Sequence, residues 1–278
     1  MGIFKKINYR KFSLQITAVL MFAVWFAGFQ GCAYNTGNIA TLPESPWGGK
    51  YAYSYNPTSV KAAKAVPVTV AVVNPFYREK ESLFDNKKYL NVGKGLSASM
   101  GADLDKILIS KGVTTTGPFP SLEEITYSQK KDATLTLDPT VFVSAEIKAL
   151  ADAQHVYGAN RTEQRFAMNI TGWVSFSMRE PLSGQKMWIK KLEMEPVQVE
   201  AMIYTESNPI YAPDGCGGQI VAGYRPGTIV YDGTVDAIAD ALKQMYPVIL
   251  SQFEKYIDTE ELLVLKEKGK EIRALKVY

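Results

Sequence analysis

The side chains that could do chemistry are few. His155 is the single histidine, which rules out any site needing two imidazoles, and Cys32 and Cys216 are too few for a disulfide scaffold or a Cys-rich zinc site. The GxSxG, HExxH, GxGxxG and P-loop patterns are absent. Ser-x-x-Lys occurs at Ser128–Lys131 and Ser183–Lys186, but the Ser-Asp-Asn and Lys-Thr-Gly partners of a penicillin-binding site are missing. Glu123-Glu124 and Glu260-Glu261 are adjacent pairs, which do not face each other on a helix and read as solvated surface. The chain therefore reads as non-enzymatic, with no metal site and no cofactor. Two segments carry groups suited to binding. Asn160–Arg165 holds two guanidiniums, Arg161 and Arg165, which match carboxylates such as those of sialic acid. The stretch 205–232 holds Tyr211, Asp214, Tyr224, Arg225 and Tyr231, a set suited to a sugar or a protein contact. Their bland counterparts are a solvated loop and a loop packed on its own domain.

The start of the chain is an address. Lys5, Lys6, Arg10 and Lys11 precede a mostly apolar run from Phe12 to Phe29, and Phe29-Gln30-Gly31-Cys32 follows. A basic region, an apolar region and a small residue before a cut make a secretory signal. The cysteine after Gly31 makes it resemble a bacterial lipoprotein signal, which implies acylation of Cys32 and anchoring in a membrane. Ala33 after the cysteine, by the same resemblance, implies the outer membrane. An uncleaved transmembrane anchor and an ordinary signal with Cys32 paired to Cys216 stay open. Cleavage removes four of 31 basic residues and no acid, so the net charge falls from +3 to −1 (27 bases against 28 acids). A partner nucleic acid is not expected of such a chain.

The elements that must hold these residues follow from pattern. Residues 32–66 read as a tether, rich in proline and in aromatics (Tyr34, Trp47, Tyr51, Tyr53, Tyr55) that could lie on the domain or near headgroups. An α+β domain is expected over 67–258. Val68–Val73 reads as a strand. Leu96, Met100, Leu104, Ile107 and Leu108 repeat at helical spacing, with Gly112 as a left-handed stop. Over 166–178, Phe166, Met168, Ile170, Val174, Phe176 and Met178 share one parity, a long strand with one buried face. The Pro181–Gly184 turn then makes 165–200 a β-hairpin. Residues 205–232, with glycines, prolines and no convincing alternation, read as a long loop of the functional or disordered kind. Thr234 reads as the cap of a strong helix, Val235 to Ile257, and 259–278 as a charged helical tail. The sum is a single mixed sheet with a long hairpin and helices on one face.

With these parts in place the chain resembles the neuraminyllactose-binding hemagglutinin family of lipoproteins. The likeness rests on Asn74-Pro75-Phe76 after the first strand, Tyr127-Ser128-Gln129-Lys130-Lys131, the turn Glu180-Pro181-Leu182-Ser183-Gly184-Gln185, and Gly233-Thr234 before the last core helix. It spans about residues 67 to 258. The resemblance implies an outer-membrane lipoprotein of α+β fold involved in surface adhesion. The family's sialyl-glycan motif is Lys-Arg-Thr-x-x-Lys-Lys. Here the matching region reads Arg161-Thr162-Glu163-Gln164-Arg165, which lacks two positive charges and adds an acid. Two functions are therefore expected to compete: an adhesin-like protein binding a glycan or protein, and a periplasm-facing structural lipoprotein of an envelope assembly. Oligomer formation is left open.

Overall fold

A computed structural model describes residues 51–58, 64–77, 82–156 and 160–275. The leader, Cys32, and the tether up to residue 50 lie outside the described residues.

Among the described residues, seven strands form one sheet in the order β2-β1-β3-β5-β6-β7, with β4 beside β5. They are β1 (Val66–Val73), β2 (Val113–Phe119), β3 (Leu135–Ala149), β4 (Gln154–Val156), β5 (Arg161–Arg179), β6 (Lys186–Pro213) and β7 (Gln219–Asp232). β1 runs parallel to β2 and β3, and every other pairing is antiparallel. The helices are α1 (Leu90–Ser110), α2 (Tyr127–Asp132), α3 (Thr234–Tyr256) and α4 (Thr259–Leu275). This is the expected α+β mixed sheet.

The periodic segments behave as their patterns require. Met168, Ile170, Val174, Phe176 and Met178 of β5 are buried against α1 and α3, and Phe176 meets Phe253 of α3 with ring centroids 4.3 Å apart. The whole α1 stripe is buried, and Gly112 follows that helix at φ 80°. The other face of the sheet carries Asn169, Thr171 and Ser175 of β5 beside Phe142 stacked on Trp173, all of them half-buried. A small second cluster covers its β1 end, where Ala71 and Val73 pack with Ile125 and Ala133. α3 starts at Thr234, but Thr234 is not its side-chain cap. Asp232 does that work, accepting bonds from the Thr234 backbone N–H at 3.0 Å and its hydroxyl at 2.6 Å. A carboxylate before a helix start also suits the dipole.

Two segments with an uncommitted sequence pattern are fixed by buried acids. Tyr53 and Tyr55 sit in the core. The Tyr55 backbone N–H donates to Asp103 Oδ2 of α1 at 2.8 Å, and its hydroxyl to Glu254 Oε2 of α3 at 2.6 Å. Burial, then the Glu254 bond, pushes the Tyr55 hydroxyl up to about 12. Tyr246 donates to the same Asp103 oxygen at 2.7 Å. The charged C-terminal segment is likewise docked. Leu262 and Leu265 are buried, and Arg273 Nε reaches Glu180 Oε1 at 2.7 Å. The Arg273 guanidinium also donates to the carbonyls of Lys130, Lys131 and Ala133.

Residues 205–232 are not a loop. They continue β6 and return as β7, forming a hairpin arm beyond the helices. The pairing shows register irregularities between Tyr204/Thr205, Thr205/Ser207 and Ile210/Tyr211. At each, β7 uses more residues than β6, so its alternation is broken and the period-2 signal vanishes from the sequence. Pro226 is tolerated because β7 is an edge strand.

Candidate functional site

The residues singled out for binding all lie at the arm end of the sheet, but not on one surface. Register places them. Thr162 of β5 pairs with His155 of β4 and Thr205 of β6, and these three continue the inner, core-facing side. Tyr211 and Tyr224, the latter paired with Pro209, share that side. Arg161, Glu163 and Arg165 have the opposite parity on β5 and face outward with Tyr204. Arg225 pairs with Asn208 and is also outward. So Arg161 and Arg165 do not converge with Tyr211 and Tyr224.

The two β5 guanidiniums are engaged at home. Arg165 Nε bonds Glu163 Oε1 at 2.9 Å, a contact that raises the guanidinium's proton affinity. Arg161 lies 4.5 Å over the ring of Tyr204, a cation–π contact. β5 begins at Arg161, ahead of the strand expected from residue 166, and its two-residue spacing puts Glu163 and Arg165 on one face.

The inner side holds a group that spacing could not reveal. The His155 ring stacks on Tyr224 with centroids 3.7 Å apart and planes 7° off parallel. His155 Nδ1 is 2.7 Å from Ser207 Oγ, and Ser207 Oγ is 2.7 Å from Thr162 Oγ1. A histidine beside a serine invites a nucleophile reading. Ser207 is only 1% exposed, so no substrate reaches it. The cluster instead ties β4, β5, β6 and β7 into a curl. Four strands contribute one residue each.

Surface character is the feature that separates the arm from the rest. Ile210, Tyr211, Ile220, Val221, Tyr224, Ile229, Val230 and Tyr231 are each between 42 and 65% exposed. Contiguous exposed apolar surface marks contact sites. The hairpin tip, Asp214 to Gly218, is shaped by Asp214, whose Oδ1 accepts from the N–H groups of Cys216 and Gly218. Cys216 is exposed there. Among the described residues there is no group of His, Cys, Asp and Glu that could hold a metal, and no helix long and apolar enough to cross a membrane.

No family model and no curated protein matches the chain. Among solved structures, the fold is similar to that of a neuraminyllactose-binding hemagglutinin homolog from Helicobacter pylori, with TM-score 0.51 and 15% identity over 78% of this chain and 96% of that one. Lipoprotein GNA1162 from Neisseria meningitidis overlays with TM-score 0.23 and 14% identity, covering 48% of this chain and 84% of its own. A lipoprotein from Caulobacter crescentus CB15 gives TM-score 0.19 and 10% identity, covering 74% and 93%. The Helicobacter likeness establishes a shared α+β architecture. A ligand does not follow from it, and the two looser overlays add no weight.

Proposed function

We propose that this chain is a non-enzymatic, lipid-anchored cell-envelope protein, held in the outer membrane through Cys32, that works by contact through its hairpin arm in the manner of an adhesin. The observation that carries this is the run of eight half-exposed apolar side chains on β6 and β7. The leader supports the anchor, and three acyl chains at about 0.8 kcal/mol per buried CH₂ would make it durable. Glu163 offsets the charge of Arg165, and Arg161 keeps its own over the Tyr204 ring, a thinner cationic site than a sialylated glycan calls for, so the arm suits a protein partner better. The thin cationic site also favours a second reading, a periplasm-facing structural lipoprotein.

Protease shaving of intact cells, with mass spectrometry of the N-terminal peptide, tests both. A diacylated Cys32 peptide is expected, and a peptide retaining Met1 would refute the anchor. Digestion of the arm on intact cells is the adhesin outcome. Survival until the outer membrane is opened selects the periplasmic reading.

A further inference from the structure

We infer that the partner of the arm is a second copy of this chain, joined arm to arm. The inference rests on the reading of the arm as a contact surface and names its occupant.

The apolar residues occur on both sides of the hairpin. Tyr211, Val221, Tyr224 and Ile229 belong to the inner side by register, and Ile210, Ile220 and Tyr231 to the outer side. A globular partner docking flat on one face would leave the β7 edge open. Lipid could surround the hairpin, but β7 is an edge strand whose outer backbone groups need partners, and open sheet edges do not enter hydrocarbon. A second arm supplies both things: apolar side chains and a matching row of N–H and C=O groups.

The pattern of β7 is self-complementary. Ile220-Val221 and Ile229-Val230 stand at equal distances from Arg225. Two copies of β7 running antiparallel about Arg225 set Val221 against Ile229 and Ile220 against Val230, twice over, as a two-fold contact requires. Arg225 meets its counterpart at the centre, where it is exposed and stays hydrated. Pro226 and the register irregularities confine ladder pairing to short pieces, so side-chain packing at the two ends carries the contact. The one like-charge meeting is Arg225 with its counterpart, a repulsion that exposure to water and salt screens. Of Glu206, Asp214, Arg225 and Asp232, the last is already paired with Lys88. Six of the eight exposed apolar side chains belong to β7 itself, the strand at the contact, and Ile210 and Tyr211 stand one strand behind it.

The test is co-isolation of two differently tagged full-length copies, co-expressed and extracted from membranes in mild detergent. Capture of one tag is expected to recover the other. The double variant Ile220→Asp, Val230→Asp should lower that recovery at least tenfold, and Tyr127→Asp, on the exposed surface of α2, should not. Unchanged thermal melts keep the comparison between folded proteins. Failure to recover the second copy, or recovery indifferent to the β7 variant, overturns the inference. If the second copy is not recovered, yet the same variant abolishes attachment of cells to a protein-coated surface, the arm remains a contact surface and only its occupant was wrong.

Discussion

The helix-covered body and the hairpin arm share one continuous sheet, yet they treat the same residue types oppositely. In the body, Phe176 and Phe253 are fully buried and Tyr53, Tyr55 and Tyr246 are nearly so, with the hydroxyls of Tyr55 and Tyr246 bonded to carboxylates. On the arm, Tyr211, Tyr224 and Tyr231 are exposed beside Ile220, Val221, Ile229 and Val230. Strand β6 runs from one region into the other. The difference lies in coverage: α1 and α3 lie over the body, and no described helix lies over the arm. Apolar burial gives stability to the first region, and the lack of it leaves the second available for association.

Substitutions sharpen the contrast. The largest effect is expected for Phe176→Ala, which opens a cavity against Phe253 and should cost about 3–5 kcal/mol in chemical denaturation. Next is Arg273→Ala, which takes from the buried Glu180 its charged partner and should cost about 2 kcal/mol. Burial by itself would raise the Glu180 carboxyl, but bonds from Ser183, Arg273 and Leu182 outweigh it and hold the group below its ordinary value. A depressed carboxylate stabilises the fold above its unfolded value, about 4.3, and that contribution is lost as pH falls through the folded value. Glu180→Gln should therefore flatten the acid limb of the stability profile, and an unchanged limb would show that Glu180 does not drive it.

Tyr55→Phe should cost about 1 kcal/mol near neutral pH by removing the bond to Glu254. The raised Tyr55 value acts at the alkaline end. Its neutral form is favoured in the fold, so the contribution is complete below about 10 and is lost as pH rises through about 12. Absorbance titration of the variant should lack one late-ionising tyrosine. The smallest effect belongs to the arm: Ile229→Ser and Arg165→Ala should each change stability by less than about 0.5 kcal/mol. If Ile229→Ser instead unfolds the chain like a core variant, the contrast between the two regions collapses.

Much of the body was legible because its signals are periodic. Buried residues on β5 recur every second position and those on α1 every third or fourth, and each follows from the geometry of its element. The arm was illegible for a matching reason. Its register irregularities insert residues into β7, so glycine, proline and broken alternation imitate a loop. The binding residues were found one by one, but their division between two faces depends on strand register. The His155–Ser207–Thr162 cluster could not be found at all, since sequence separations of 45 and 52 residues carry no local pattern.

The turn Glu180–Gln185 and the segment Tyr127–Lys131 show where the boundary falls. By itself the sequence determined that the first is a turn, because proline and glycine act within a few residues, whereas the structure showed the second to be a short helix opened by the Thr126–Gln129 capping box. That both are held by a single guanidinium, Arg273, was decided only in three dimensions. A buried carboxylate needs a partner, and the fold brought one from 93 residues away. The sequence likewise set the apolar content of residues 205–232. Only the tertiary structure decided that this surface would stay in water, because no described helix covers that end of the sheet.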